Sequence, residues 1–229
     1  MSFIIHGIAQ AFILLFRGDP ETFSAIFTTL KATTSSICLS SIIGLPVGFV
    51  IGFLDFPGRK QLKVLFDTLL SLPTVVVGLV VYGLLSKNGP FGGYGLIYSL
   101  PAIIIAQTIL ILPIVIALTS SAIENADERM YIALKSYGLK GIKFFLATIY
   151  EIRIMIIMAI ITAWARAFSE VGASIIVGGN IKWKTRTITT AIALEATRGN
   201  FARAIALGVV LLAIALLINI LLHIYKKRV

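Results

Sequence analysis

From Ile97 to Ile123 the chain carries no charged side chain, and this run limits the possible folds more than any other feature. A helix of roughly 20 apolar residues crosses the hydrocarbon core of a bilayer. On a soluble domain, a helix of that length would carry charges on its outer face. Four further apolar runs follow the same logic: Phe23 to Leu54, Leu62 to Leu85, Ile154 to Val177 and Ala204 to Tyr225. Lipid offers the backbone no hydrogen bonds, so each run is expected to be helical. With 58% hydrophobic and 13% charged residues among 229, the sequence reads as an all-α polytopic membrane protein of about five core spans.

The opening run, Met1 to Phe16, lacks a basic leader and a small-residue cleavage site, and Arg17-Gly18-Asp19-Pro20 stops it. It is expected to form an interfacial helix over residues 1–20, ahead of a single membrane domain over 21–229. A sixth, tilted span is the alternative. The lone Cys38 is expected to be a small packing residue. Pro46, Pro73 and Pro113 interrupt the first three runs and lack an amide donor. Kinks are expected there, suited to helices that move about a central path; the plainer alternative is that proline is simply common in spans.

Orientation follows from Lys and Arg in the short loops. Arg59, Lys60 and Lys63, then Arg129, Lys135, Lys140, Lys143 and Arg153, then the tail Lys226-Lys227-Arg228 fall on one side, expected to be the cytoplasm. The N-terminus is then outside and the C-terminus cytoplasmic. The net charge of +10 lies mainly in these flanking loops, so it does not imply nucleic acid. Residues 178–203 depart from the rule, with Lys182, Lys184, Arg186, Arg198 and Arg203 on the outer side. Either they concentrate anions there or they are topological chance.

Two stretches carry the functional signal. Glu124 to Ile152 is too long and too rich in helix formers for a turn, with Gly138 and Gly141 able to end one helix and start another. A short helix with an apolar face suits a docking partner or the inner leaflet. Further on, the fourth run contains Trp164-Ala165-Arg166-Ala167-Phe168-Ser169-Glu170-Val171-Gly172-Ala173-Ser174. A charge at the centre of a span costs about 2.5 to 3.5 kcal/mol, so Arg166 and Glu170, one turn apart, must face protein or water. Three roles stay open: a structural tie, contact with an anion in transit aided by Ser169, or a gate. Gly172 permits close helix approach. Asn180, after Gly178-Gly179, marks either the outer end of a path or an ordinary turn.

Ala165 to Ala173, Ile176 to Ile181 and Thr185 to Glu195, with Ser71 to Leu79, resemble the permease subunits of tungstate-type ATP-binding-cassette importers, in the molybdate, tungstate and sulfate oxyanion group. The 124–152 segment is similar to the coupling loop of such permeases. Gly138 falls on the family glycine and Ala133 on the central alanine of the Glu-Ala-Ala triplet, while Ile132 and Leu134 differ from it. The resemblance implies a type I importer transmembrane domain in the cell membrane of a prokaryote. It implies a second copy of the chain and two cytoplasmic ATPase subunits that hold ATP and Mg2+. An extracytoplasmic binding protein delivers the oxyanion, tungstate before molybdate or sulfate. Ile132, Ala133, Leu134, Gly138 and Leu139 are then the coupling residues, and Arg166, Ser169, Glu170, Gly172 and Asn180 belong to the pathway or gate.

The chain itself is expected to be neither an enzyme nor a holder of metal or cofactor. It has no Gly-x-x-x-x-Gly-Lys-Ser/Thr phosphate loop, and His6 and His223 stand at its two ends. An autonomous ion-coupled carrier would call for several buried carboxylates, whereas Glu170 is the only acid well inside a run.

Overall fold

The computed structural model describes residues 9–13 and 16–228, with side chains through Ile220. Half of the interfacial helix expected over residues 1–20, residues 1–8 and 14–15, lies outside the described residues; 9–13 are helical. From Pro20 onward ten α-helices follow one another, and no strand occurs among the described residues: α1 (Pro20–Phe53), α2 (Arg59–Leu69), α3 (Thr74–Leu85), α4 (Leu100–Glu124), α5 (Glu128–Ser136), α6 (Gly141–Glu151), α7 (Arg153–Phe168), α8 (Gly172–Gly178), α9 (Ile188–Thr197) and α10 (Phe201–Arg228).

α1, α4 and the Phe201–Ile220 stretch of α10 are each long and apolar enough to cross a membrane. Two of the expected continuous spans are broken. The second is α2 and α3, bent by 101° at a short break. The break ends at Pro73, which precedes the first residue of α3 in extended conformation and has no amide to continue a helix. The fourth expected span ends at Phe168, and after Ser169-Glu170-Val171 the chain starts again as α8. α6 meets α7 at a bend of 78°. Counting each bent pair as one span gives up to five. Pro46 and Pro113 lie inside the continuous helices α1 and α4. Cys38, expected to pack, is instead exposed on α1.

The chain forms two compact units with interleaved segments. The first comprises residues up to Ser36, Pro73–Leu110 and the chain from Ala165 onward. Ala25 of α1, Ile188 and Ala191 of α9, and Leu207 of α10 form one part of its core. The stretch expected as an outer loop thus contains a buried helix. α9 begins with a capping box in which Thr187 and Thr190 satisfy each other's backbone amides. Thr29 of α1 also accepts the Ile188 amide at 2.9 Å.

The second unit comprises Ile37–Leu72 and Ile111–Trp164. Here α1 lies against α4 through Gly44, Gly48 and Gly52, one turn apart. A Cβ on Gly48 would stand 2.7 Å from Thr119 and one on Gly52 2.7 Å from the Ser120 carbonyl. Without a side chain in the way, the two backbones approach closely enough to gain dispersion contacts that lipid would not supply. Ala122, Ile123, Ile152 and Ile156 continue this core, joined by Phe49, Phe53 and Tyr131.

Candidate functional site

The break between α7 and α8 is built around Glu170, which is 2% exposed. α7 closes with the amides of Ser169 and Glu170 donating to Ala165 and Ala167 carbonyls, each at 3.2 Å. The first amides of the next helix then lack partners within it. Glu170 supplies one: its Oε1 accepts the Ala173 N–H at 2.9 Å. Its Oε2 accepts from Arg166 Nη1 at 3.0 Å, and its backbone carbonyl accepts the Thr189 hydroxyl of α9 at 2.7 Å. A buried carboxylate is costly unless its lone pairs are used, and here they are shared between a cation and a helix start.

Arg166 and Glu170 do not lie within one continuous helix, as the sequence suggested they would. Arg166 sits in the last turn of α7, and Glu170 lies beyond its end. The pair is asymmetric, with the Arg166 side chain 34% exposed against 1% for Glu170. The guanidinium spends one of its five N–H donors on Glu170, and part of the fork remains accessible. A paired, partly exposed arginine keeps N–H donors free for a further acceptor. Ser169 is exposed and donates back to the Arg166 carbonyl at 3.2 Å.

Small residues bring α3 against α8. A Cβ on Gly78 would lie 2.9 Å from Ala173 Cα, and one on Gly172 would lie 2.8 Å from Thr74 Oγ1. Asn180 follows the left-handed Gly179 and is itself left-handed, with φ 49°. Its Oδ1 accepts from Arg186 Nε at 3.2 Å and from Thr190 Oγ1 at 3.0 Å, and its Nδ2 donates to the Thr190 carbonyl at 3.2 Å. Its side chain is therefore committed to pinning this turn onto α9.

Three participants escaped the sequence reading. Gln107, 2% exposed in the charge-free run, donates to the Ala167 carbonyl at 3.3 Å and accepts from Ser36 at 3.2 Å. Its signal was its isolation, since a lone amide in an apolar helix must find partners. Thr189 was hidden in a threonine-rich stretch. Glu21 receives Lys182 at 2.9 Å, Arg203 at 3.3 Å and Arg186, while Arg198 reaches Glu195 at 3.5 Å. Two carboxylates thus engage four of the five cations counted over residues 178–203, and the unpaired positive charge is smaller than the sequence count implied. Only the fold brings Glu21 to Arg186, because 165 residues separate them.

The second candidate region is α5–α6. Asp127 caps α5 by accepting the Arg129 amide at 2.9 Å. Its far end is closed by Gly138 at φ 73°, with Gly138 N–H donating to Lys135 and Leu139 N–H to the Leu134 carbonyl. This is the turn that a left-handed glycine permits. Leu134 is buried, Leu139 half-buried, and Ala133 and Gly138 exposed. Ile132 is 59% exposed and Tyr137 82%. The base of the segment is held firmly: the Tyr131 hydroxyl donates to the Ile123 carbonyl at 2.7 Å, and its ring packs on Phe53 and Phe144. Burial pushes that hydroxyl above the usual tyrosine range, so it remains a neutral donor.

Residues 44–229 match the family described as binding-protein-dependent transport system inner membrane component. A tungstate uptake system permease protein of Campylobacter jejuni is 46% identical over 227 residues, covering 99% of this chain and 95% of that one. One from Peptoclostridium acidaminophilum is 35% identical, covering 97% and 98%. A probable anion ABC transporter permease protein of Haloferax volcanii is 39% identical, covering 87% and 88%.

Proposed function

The chain belongs to the family of binding-protein-dependent transport system inner membrane components, and on that premise we propose that it is the subunit through which an oxyanion, tungstate, enters the cytoplasm. Near full-length similarity to two tungstate uptake permeases carries the choice of cargo. The half-open Arg166 beside a buried carboxylate is consistent with weak handling of a dianion in transit. Affinity and selectivity then reside in an extracytoplasmic binding protein.

Energy comes from two ATPase subunits acting on a dimer of this chain. Their docking surface is α5–α6, whose exposed Ile132, Ala133 and Tyr137 surround the Gly138 turn. The firmly held base passes the movement to α1 and α4 through Phe53 and Ile123. The basic loops set α5–α6 and the C-terminus in the cytoplasm and the N-terminus outside. ATP and Mg2+ stay in the partner subunits. Glu170, already bound to a cation and a helix amide, is a poor coupling site for protons or cations.

The test is uptake into vesicles that hold the permease, ATPase and binding protein, with accumulated metal measured by mass spectrometry. ATP-dependent tungstate accumulation, undiminished by excess sulfate, is expected. Preference for molybdate or sulfate would reassign the cargo within the oxyanion group. Accumulation without ATP would remove the importer mechanism.

A further inference from the structure

α2 is the one helix of eight or more residues in which no residue is buried among those described. Its 11 residues, Arg59–Leu69, include Arg59, Lys60, Lys63 and Asp67. It is therefore too short and too charged to span a bilayer. Helical spacing gathers Leu62, Leu65, Phe66 and Leu69 along one arc and Arg59, Lys60, Lys63 and Asp67 along the adjoining one, with Val64, 64% exposed, beyond Lys60. The apolar face is open, with Leu65 48% exposed.

The position of α2 is fixed at one end. Arg59 donates from Nε to the Ile51 carbonyl at 2.8 Å and from Nη2 to the Gly52 carbonyl at 3.0 Å. Both carbonyls belong to the last turn of α1, which is itself a membrane span. The start of α2 is thus held against the last turn of α1. The polar face lines a cleft of about 630 Å3 with Asp55, Gly58 and Glu124. Asp55 and Glu124 are engaged by Arg59, and Glu124 also by Lys63. Lys60 is exposed and makes no ion pair among the described residues; Asp67 is the acid farther along the helix.

We propose that α2 lies along the lipid–water interface at the end of α1, sinking Leu62, Leu65, Phe66 and Leu69 into that leaflet and offering Lys60 to anionic lipid headgroups. A short amphipathic helix with a basic polar face binds such a surface through apolar burial and charge together. Lys60, unlike Arg59 and Lys63, has no carboxylate partner among the described residues, so it is the cation left for a headgroup. With the orientation proposed above the leaflet is the cytoplasmic one, but helix depth depends on neither cargo nor ATP.

The test uses the full chain with its ATPase subunits, in a Cys38→Ser background, reconstituted in phosphatidylcholine and phosphatidylglycerol. Leu65→Cys and Asp67→Cys each carry an environment-sensitive fluorophore. Lipid-borne bromine is expected to quench the Leu65 label and aqueous iodide the Asp67 label. Brominated phosphatidylglycerol is expected to quench the Leu65 label about twofold more than brominated phosphatidylcholine at equal content, with Lys60→Glu abolishing that preference at unchanged depth. Equal iodide quenching at both sites overturns the interfacial placement, and so does a Leu65→Cys disulfide between two copies. A preference that survives Lys60→Glu overturns the headgroup contact. None of these outcomes bears on tungstate uptake, so the two proposals fail separately.

Discussion

Glu170 and the α5–α6 segment treat their side chains in opposite ways. Around Glu170 the carboxylate and the backbone carbonyl are both engaged within the fold, by Arg166, Ala173 and Thr189. On α5–α6, Asp127, Tyr131 and Leu134 secure the base, while Ile132 and Tyr137 face outward with their apolar surface unburied. Buried polar groups must settle their hydrogen bonds inside the molecule, because neither lipid nor a packed core will do so. Apolar surface left open on a secured helix is what a partner can bury. The first region should therefore respond to substitution mainly through folding, and the second mainly through coupling.

The hardest test of that division is Glu170→Ala, which strands Arg166 and the Ala173 amide. Breaking a buried pair costs about 3 to 5 kcal/mol, and the partial exposure of Arg166 puts this case at the low end. A marked fall in the thermal midpoint of the purified protein is expected, with a smaller fall for Glu170→Gln, which keeps an acceptor for Ala173. An unchanged midpoint would mean the fold does not depend on this node. Next comes Gly78→Ala, whose methyl meets Ala173 backbone that cannot rotate away; overpacking of this kind costs about 1 to 3 kcal/mol. Its midpoint should fall too, and uptake should fall only in proportion to folded protein.

Gly138→Val sharpens the comparison from the other side. A side chain at φ 73° costs roughly 1 to 2 kcal/mol locally, at an exposed turn outside the core. The midpoint should stay near the original while ATP hydrolysis no longer drives uptake. Coupled uptake at the normal rate would remove α5–α6 from the coupling role. The smallest effect is expected of Arg198→Ala, whose 3.5 Å pair with Glu195 is 60% exposed on the arginine side. Uptake should be unchanged in Arg198→Ala and reduced in Arg166→Ala. Equal, mild losses in the two would make Arg166 no more than a structural tie.

Much of this was legible from one-dimensional pattern. The charge-free run, the other apolar stretches and the glycines at 138 and 141 determined an all-helical membrane chain and the helix–turn–helix at α5–α6. Those features depend on hydrophobicity and local backbone freedom, and neighbouring residues set both. The Arg166–Glu170 pair was visible for the same reason, being one turn apart.

Only the tertiary structure decided what the pair does. Apolar residues resume directly after Ser169-Glu170, so hydropathy could not show that α7 stops there, nor that Glu170 caps the next helix. The same limit hid the bend before α3, where Pro73 could have kinked a helix or ended it. Gln107 beneath Ala167, Thr189 on Glu170 and Glu21 among Lys182, Arg186 and Arg203 are meetings between distant segments. The sequence determined which groups could not remain unpaired; which partners they found depended on the packing of helices far apart in the chain.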